Sequence, residues 1–346
     1  RLPIQSQVLM SAVTIPDMVK IVEAHGLVPI AIDVDFDTLA PKVDLMEKAL
    51  NEKTKVVLVS HIFGSIADMS DILSFAEKHG LKVIEDCAEA YCGPDYTGDD
   101  RSDISLFSFG SIKTETALGG ALLRVKDPKI RDDMRGLMEH YAVQPLGIFS
   151  KRLFKYAAFS LVLNEQRLYS AFVRGLNFFG KDHLDVLLAN TRGFIGQDLF
   201  QSIRLRPPVA LVMLLKRRLE NFDRARLAQR QERCALAARM LGRVPGIGVP
   251  GTRANPHYHW LFPVNVQDPE RISKLALQGG FDATTGTTSL VCIDNVVTEK
   301  NATYRAVYNP GTATATKLME NILYLPIDAD TSPDTVSRMV SVLSVS

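Results

Sequence analysis

Polar side chains stand at the ends of three apolar, strand-like runs in the first third of the chain. His61, Asp86 and Ser108 each close or follow such a run, and Lys113 lies in the segment after Ser108. Ligands of open parallel sheets bind beyond the carboxyl ends of the strands. If these runs are neighbouring parallel strands, one pocket could collect the three polar groups.

Pyridoxal phosphate chemistry needs side chains of these types. A lysine forms an imine with the cofactor, an acid keeps the pyridine nitrogen protonated so that the ring accepts electrons, and hydrogen-bond donors hold the phosphate. Lys113, Asp86 and Ser108 meet these needs in type and placement. Each residue alone is a weak signal, because a loop lysine is usually a solvated surface group and an aspartate at a strand end is about as often a turn or helix cap.

The elements that must position these residues follow the pattern of βαβ units. Residues 1–125 alternate short β-branched runs with amphipathic stretches, which predicts an α/β domain with a mostly parallel sheet. The predicted strands cover residues 8–11, 28–33, 55–60, 82–85, 105–109 and 121–125, and the predicted helices cover 16–25, 43–51 and 69–79. Gly26 and Gly80 are expected to end the first and third helices from the C-cap position.

Longer motifs surround the polar residues. They are H-x-x-G at 61–64 with D-M at 68–69, H-G-L-x-V-I-E-D-x-A-x-A at 79–90, Gly98, S-D-I at 102–104, F-S-F-x-x-x-K at 107–113 and the pair Gly119-Gly120. In these motifs the chain resembles the nucleotide-sugar aminotransferases of the DegT/StrS type, a branch of the fold type I pyridoxal phosphate enzymes. The resemblance implies a three-layer α/β domain with a mostly parallel sheet and a small C-terminal α+β domain.

The resemblance also implies a role for each of three residues that match the family. Lys113 is the lysine that forms the Schiff base with pyridoxal phosphate, and it moves the proton in both halves of the reaction. Asp86 is the partner of the pyridinium nitrogen, and Ser108 contacts the phosphate. Family members that dehydrate sugars carry a histidine at the lysine position, so Lys113 favours transamination.

Other positions depart from the family. Glu89 stands where the family has a Gln or His near the ring hydroxyl, and an anionic carboxylate there would repel a phenolate oxygen unless it is protonated. Ile15 replaces an aromatic residue that stacks on the cofactor ring, which reduces face-to-face contact. Ser202 replaces the Asn that reaches the phosphate of the neighbouring subunit's cofactor. The family's phosphate-binding turn lies upstream of the strand at Val8, where this sequence leaves no room for it, so we expect a shortened chain or a more weakly held phosphate.

The function implied by the resemblance is that of a pyridoxal phosphate-dependent aminotransferase. Glutamate would supply the amino group and a keto group of a nucleotide-linked sugar would receive it, in a cytoplasmic homodimer whose subunits share their active sites. The departures at Glu89, Ile15 and Ser202 keep a second hypothesis open, in which the chain is a non-catalytic homologue that acts in binding or as a scaffold.

The rest of the sequence predicts how the chain is divided. A large cofactor-binding domain is expected over 1–206, with an apolar, basic helical segment at 149–200. Pro207 and Pro208 suit a helix start, and no Gly or Pro follows until Gly242, which predicts one bridging helix over 207–242, ~50 Å long. Residues 243–346 mix strand-like 258–264 and 322–325 with helices at 269–277 and 333–343, as in a small α+β domain.

Residues 149–180 are apolar with interspersed cations, namely Lys151, Arg152, Lys155, Arg167 and Arg174. This pattern is typical of a helix on a membrane surface or of a subunit interface. The interface or core interpretation is preferred, since buried amphipathic helices outnumber membrane-surface helices in soluble chains.

Composition argues against several other classes. The 346-residue chain is 46% hydrophobic and has a formal net charge of +1, with a basic surplus confined to 204–243, so we do not expect a nucleic-acid-binding protein. Four irregularly spaced cysteines predict reduced thiols. His257 and His259 could share a strand face and bind a metal, but without a third ligand packing is favoured and no metal is expected. Neither a signal peptide nor an apolar run of membrane-spanning length is evident.

Overall fold

The computed structural model describes residues 2–165, 174–175, 199–296 and 310–344. Its strands are β1 (Gln7–Ser11), β2 (Val13–Thr14), β3 (Val28–Ile32), β4 (Thr54–Ser60), β5 (Lys82–Asp86), β6 (Ile104–Ser108), β7 (Ala121–Val125), β8 (Ala142–Val143), β9 (Leu205–Arg206), β10 (Ile247–Gly248), β11 (Phe262–Val266), β12 (Val291–Cys292) and β13 (Ile322–Leu325). Its α-helices are α1 (Pro16–Ala24), α2 (Val43–Ala49), α3 (Ser70–Lys78), α4 (Pro128–Glu139), α5 (Leu146–Asn164), α6 (Leu199–Ile203), α7 (Val209–Glu220), α8 (Arg224–Leu241), α9 (Pro269–Gln278), α10 (Ala313–Glu320) and α11 (Pro333–Leu343).

Six strands form the main sheet in the order β3-β1-β4-β5-β6-β7. The pairs β1–β3, β1–β4, β4–β5 and β5–β6 are all parallel. Parallel neighbours need crossover connections over the faces of the sheet, and α1, α2 and α3 supply three of them. Gly26 and Gly80 follow α1 and α3 with φ of 71° and 63°, as their predicted place at the helix ends requires. The mostly parallel α/β sheet predicted from the sequence is confirmed.

Both faces of this sheet are covered. Successive strand side chains point to opposite faces, so Val8 and Met10 of β1 join a hydrophobic cluster with Val19 and Val22 of α1. Leu9, between them, joins a second cluster built with side chains of α2 and α3. The sheet is therefore the middle layer of a three-layer arrangement.

A second sheet lies in the C-terminal part of the chain. Strand β11 pairs antiparallel with β10 and β13, and apolar side chains of α8, α9 and α11 pack with it in one cluster. Strand β12 pairs antiparallel with β2. These residues therefore have the α+β character expected after residue 243.

The chain divides into two compact units. The first comprises Arg1–Phe107, Leu123–Lys126 and Asp223–Ser346, and the second comprises Ser108–Leu122 and Asp127–Phe222. The domain limits expected at residues 206 and 242 differ from these and stay a prediction.

The prediction of a single bridging helix over 207–242 is wrong. Helix α7 ends at Glu220, and α8 begins at Arg224. The carboxylate of Asp223 accepts a hydrogen bond from the Arg226 N–H at 2.9 Å, which is the N-cap interaction that starts a new helix. An aspartate can therefore interrupt a helical stretch that contains no Gly or Pro.

The apolar, basic segment predicted at 149–200 is described at its two ends and at residues 174–175. Helix α5 covers the first part and α6 begins at Leu199, whereas residues 166–173 and 176–198 lie outside the described residues. None of the helices in the described ranges is long and apolar enough to cross a bilayer.

Candidate functional site

The H-x-x-G motif forms a turn directly after β4. Gly64 has φ of 88°, and a Cβ atom at this position would lie 2.3 Å from the backbone nitrogen of Trp260. Only glycine allows this approach. The Tyr258 N–H donates to the Gly64 carbonyl at 2.7 Å, so the turn is joined by hydrogen bonding to residues far away in the sequence.

His61, the first residue of the motif, is held by two hydrogen bonds. Its Nδ1 accepts from the Ala67 N–H at 3.1 Å, which leaves Nε2 as the protonated nitrogen. Nε2 lies 3.0 Å from Oε2 of Glu85, and both side chains are fully buried. The structure therefore places His61 in a buried hydrogen-bond network, and not among groups that face a ligand.

Glu85 is the centre of that network. Its Oε1 accepts from the Asp99 N–H at 2.9 Å and from the Ser105 hydroxyl at 3.1 Å. Burial opposes ionisation of the carboxyl, but the hydrogen bonds from His61 and Asp99 outweigh it and lower the pKa of Glu85. A Cβ at Gly98, which has φ of 86°, would lie 2.0 Å from the Ser105 Oγ. The motif glycine therefore makes room for the network.

The sequence analysis did not predict this hydrogen-bond network. Its signal was present, because Glu85 precedes Asp86 in a strand whose neighbours bury both faces, and a buried glutamate needs hydrogen-bond donors. Ser105 donates to Glu85 because the register between β5 and β6 places the two residues opposite each other, and the Asp99 donor comes from the loop before β6.

His61, Glu85 and Cys87 also form the one trio of possible metal ligands found in the described part of the chain, with ligand atoms within 4.8 Å of one another. Burial raises the pKa of the Cys87 thiol well above its ordinary value, so the sulfur keeps its proton. Both nitrogens of His61 already take part in hydrogen bonds. The trio is thus explained as hydrogen-bonded core.

Asp86 and Glu89 lie next to the H-x-x-G turn. Asp86 is the last residue of β5 and is 8% exposed. Its Oδ1 accepts from the Ala88 N–H at 3.0 Å, and its carbonyl accepts from the His61 N–H at 3.0 Å. Glu89 is equally buried, and its Oε2 accepts from the Phe63 N–H at 3.0 Å. The first unit thus brings two of the predicted cofactor-binding carboxylates together around one turn.

Lys113 lies in a loop of the second unit that closes on Phe109. The Phe109 N–H donates to the Gly120 carbonyl at 3.0 Å, and the Phe109 carbonyl accepts from the Gly119 N–H at 2.9 Å. Phe109 is fully buried. The Gly119-Gly120 pair has φ of 151° and 82°, which other residues rarely adopt. The final glycines of the motif therefore close the lysine loop.

Ser108 and Lys113 border the same glycine. A Cβ atom on Gly110 would lie 3.7 Å from Oγ of Ser108 and 3.9 Å from Cγ of Lys113. The second unit thus brings a hydroxyl and the predicted catalytic lysine to one small region beside Gly110.

Ile15 and Ser202 complete the set of predicted site residues. Ile15 precedes α1 and packs, partly buried, against the cluster on the α1 face of the sheet. Ser202 lies in α6 and is half-buried in the second unit. The roles assigned to these two residues and to the others toward a cofactor stay predictions.

His257 and His259 precede a strand instead of lying on one. Strand β11 begins at Phe262, and His259 has φ of 49°, which is incompatible with the predicted strand over 258–264. The two rings stack with their centroids 3.7 Å apart and their planes at 21°. Nearly parallel rings direct their nitrogen lone pairs side by side rather than toward one ion, which supports the packing interpretation.

The described residues thus form a mostly parallel α/β sheet with helices on both faces, with Asp86 at the end of β5 and the Lys113 loop after β6. Residues 3–156 match the model of the DegT/DnrJ/EryC1/StrS aminotransferase family. The resemblance inferred from the motifs is thereby confirmed over this part of the chain.

Two relatives share this similarity. The chain is 37% identical over 119 residues to a UDP-N-acetyl-3-dehydro-alpha-D-glucosamine 3-aminotransferase of Acidithiobacillus ferrooxidans, a match that covers 33% of this chain and 32% of the relative. It is 34% identical over 129 residues to a GDP-perosamine synthase of Escherichia coli O157:H7, which covers 36% and 35%. These matches span about a third of the length of the curated relatives.

Solved structures with a similar fold are also found. The chain superposes with a TM-score of 0.66 and 19% identity on S. venezuelae DesV in complex with a ketimine intermediate, covering 99% of this chain and 79% of DesV. It superposes with a TM-score of 0.67 and 13% identity on the E. coli GDP-4-keto-6-deoxy-D-mannose-3-dehydratase with bound hydrated PLP, covering 99% and 80%. The predicted fold type I architecture is confirmed.

Proposed function

We propose that the chain is a pyridoxal phosphate-dependent aminotransferase that moves an amino group, supplied by glutamate, to a keto group of a nucleotide-linked sugar. One observation carries the proposal. The residues that match the family model contain the H-x-x-G turn after β4, Asp86 at the end of β5, Ser108 at the end of β6 and Lys113 in the loop that follows, and these matches support the proposal.

The residues present fit the cofactor in their chemistry. Asp86 is buried, and one of its oxygens is fixed by a backbone N–H, which suits a carboxylate that must remain ionised against a protonated ring nitrogen. Ser108 and Lys113 both border Gly110, so a hydroxyl suited to a phosphate and the lysine proposed to form the imine belong to one small region of the second unit.

Pyridoxal phosphate, when bound, supplies a protonated ring that accepts electrons from the bond being broken. The chain supplies the rest. Lys113 would hold the cofactor covalently and then move a proton at the substrate carbon, Asp86 would keep the proton on the ring nitrogen, and Ser108 would donate its hydroxyl proton to a phosphate oxygen. The buried His61–Glu85 pair would keep the end of β5, and therefore Asp86, in position.

The proposed substrates follow from the relatives. The two curated relatives are named for a UDP-linked and a GDP-linked sugar, and a retained lysine at position 113 suits amino transfer better than dehydration. A cytoplasmic homodimer with shared active sites, and a role in polysaccharide biosynthesis, belong to the same proposal.

The test is a visible absorption spectrum of the purified chain titrated with pyridoxal phosphate. We expect the parent and Lys129→Ala, an exposed lysine of α4, to develop a visible band, and Lys113→Ala to develop none. Glutamate should then shift the band of the parent with release of 2-oxoglutarate. No band in the parent, or the same band in Lys113→Ala, would leave the non-catalytic binding or scaffold protein as the better hypothesis.

A further inference from the structure

Ser60, the last residue of β4, has a buried hydroxyl without a partner among the described residues. Ser60 is 4% exposed, and its Oγ forms no hydrogen bond within the part of the chain that the structure describes. A buried donor that stays unsatisfied is unfavourable, and nearly all buried polar groups have a partner. The unpaired hydroxyl therefore needs a functional explanation.

The position of Ser60 in the main sheet points to Asp86. The two residues are paired in register at the carboxyl ends of the parallel strands β4 and β5. Leu58 and Ile84, two residues earlier in each strand, pack in the cluster on the α1 face. Side chains two residues apart share a face, so Ser60 and Asp86 also lie on the α1 face. Ile15, predicted to lie against the cofactor ring, packs against the same cluster.

The distance between the two strands suits a hydrogen bond between these side chains. Paired residues of neighbouring strands are about 4.8 Å apart. The main chain of Ser60 is fixed, because its N–H donates to Oγ of Ser11 at 2.9 Å. One oxygen of the Asp86 carboxylate accepts from the Ala88 N–H at 3.0 Å. Rotation of the two side chains between staggered positions, with no movement of the strands, can therefore bring the Ser60 hydroxyl to this carboxylate.

A hydroxyl donor at this position would serve the role proposed for Asp86. A carboxylate that acts on a protonated ring nitrogen must stay ionised and keep one orientation. Hydrogen bonds donated to a carboxylate favour its ionised form, and they are stronger than hydrogen bonds between neutral groups. Ser60 can supply such a donor from the neighbouring strand, in addition to the Ala88 N–H.

We propose that Ser60 is a positioning residue for pyridoxal phosphate, whose hydroxyl donates to the Asp86 carboxylate when that carboxylate holds the ring nitrogen of the cofactor. The inference rests on the proposed function, because it requires Asp86 to contact the ring. Without the cofactor the hydroxyl stays unpaired. Ser60 therefore contributes to the affinity for the cofactor and not to the stability of the cofactor-free chain.

Titration of the full chain with pyridoxal phosphate, followed by the visible band, tests this role. We expect Ser60→Ala to raise the Kd of the cofactor at least about fivefold, through loss of a hydrogen bond to a charged group. In the Asp86→Ala background the same substitution should change the Kd by less than about twofold, because no carboxylate is left to position. The matched control, Ser6→Ala, removes a buried hydroxyl just before β1, at the other end of the sheet, and should bind like the parent.

Urea unfolding separates this role from a purely structural one. Without pyridoxal phosphate we expect Ser60→Ala to unfold at the same urea concentration as the parent, since its hydroxyl has no hydrogen bond to lose. With the cofactor at one fixed concentration, the midpoint should rise less for the variant than for the parent. A role in packing alone predicts the same loss with and without the cofactor.

The outcomes distinguish this inference from the proposed function. The inference alone is overturned if the parent forms a band that depends on Lys113 while Ser60→Ala binds the cofactor like the parent. It is also overturned if Ser60→Ala lowers the urea midpoint equally with and without the cofactor, or if its effect on the Kd is the same in the Asp86→Ala background. A parent without a Lys113-dependent band would overturn the proposed function, and this inference with it.

Discussion

The role assigned to Glu89 differs between the sequence and the structure. In the sequence it is a departure, because an acid replaces the Gln or His expected near the cofactor's ring hydroxyl. In the structure its Oε2 accepts the Phe63 N–H of the H-x-x-G turn, and Phe63 has φ of 57°. A carboxylate is a strong acceptor for a backbone donor, so the acid has a structural reason to be there whatever its effect on the cofactor.

Replacing Glu89 separates these two effects. Glu89→Gln keeps an acceptor for Phe63 and removes the negative charge, so we expect tighter pyridoxal phosphate binding with little change in the free energy of unfolding. Glu89→Ala leaves the Phe63 N–H without this acceptor and should lower the free energy of unfolding by about 1–3 kcal/mol. Cofactor titration and urea unfolding measure the two quantities. Weaker cofactor binding by Glu89→Gln would contradict the assignment of this site near the ring.

A conservative substitution of Glu85 should lower the free energy of unfolding strongly. In Glu85→Gln an amide NH₂ can face the Nε2–H of His61, and the histidine cannot exchange tautomers without losing the Ala67 hydrogen bond. We expect the free energy of unfolding to fall by about 3 kcal/mol, measured by urea denaturation. Glu77→Gln, at an exposed position of α3, is the matched control and should unfold like the parent.

At the scale of elements, helix α10 begins with help from a distant residue. Thr312, at its N-cap position, makes no side-chain capping bond. Asp33, which follows β3, supplies the acceptors instead, with Oδ1 at 2.7 Å from the Ala315 nitrogen and Oδ2 at 3.1 Å from the Thr314 nitrogen. Lys42 donates to the same carboxylate at 3.0 Å. An acid at a helix N-terminus also complements the helix dipole.

Asp33→Asn should therefore weaken the junction between β3 and α10. Burial opposes ionisation of Asp33, but the hydrogen bonds from Ala315, Lys42 and Thr314 outweigh it and lower its pKa. A lowered folded pKa gives stability that is present above the unfolded value of about 3.9 and is lost as the pH falls through the folded value. We expect a loss of about 1–3 kcal/mol near neutral pH, with a smaller difference from the parent in strong acid. Asp44→Asn, at an exposed position of α2, is the control and should show a smaller loss near neutral pH.

The elements also show what sequence can and cannot provide. Apart from the two-residue strand β2, which was not predicted, the strands and helices of the first 125 residues were predicted to within two residues, because buried parallel strands are continuous β-branched runs and glycines end α1 and α3. The break before α8 depends on one capping aspartate. The strand expected at 258–264 begins only at Phe262, because His259 has φ of 49° next to the Tyr258 hydrogen bond to the Gly64 turn. The partners of Asp33 and Glu85 come from distant segments, which periodicity does not reveal.

At the scale of the whole molecule, we expect two buried histidines to make the free energy of unfolding depend on pH. Burial lowers the pKa of His257 to about 4, and burial together with the nearby His257 and Arg230 lowers the pKa of His259 to about 2. In the unfolded chain both rings take up a proton near pH 6.5, whereas in the folded chain they stay neutral. The unfolded state therefore binds more protons as the pH falls below about 6.5, and the free energy of unfolding decreases.

We expect each histidine to remove about 2 kcal/mol of stability between about pH 6.5 and about pH 5. His259→Phe keeps a ring to stack on His257 and removes one titrating group, so urea unfolding over this range should show a slope smaller by about one proton. His140→Gln, exposed at the end of α4, should leave the slope unchanged. An unchanged slope for His259→Phe would rule out this origin of the pH dependence.

The hydrogen bond between Gly64 and Tyr258 also has a consequence for synthesis. A chain that emerges from the ribosome N-terminus first, at about 5–20 residues per second, can pair β1, β3, β4 and β5 long before Tyr258 is translated. Until then the Gly64 carbonyl is hydrogen-bonded to water. Strand β2 likewise cannot pair until β12 has been translated. A nascent chain that stops before residue 256 should therefore protect its parallel strands from proteases while leaving the turn after β4 open to cleavage.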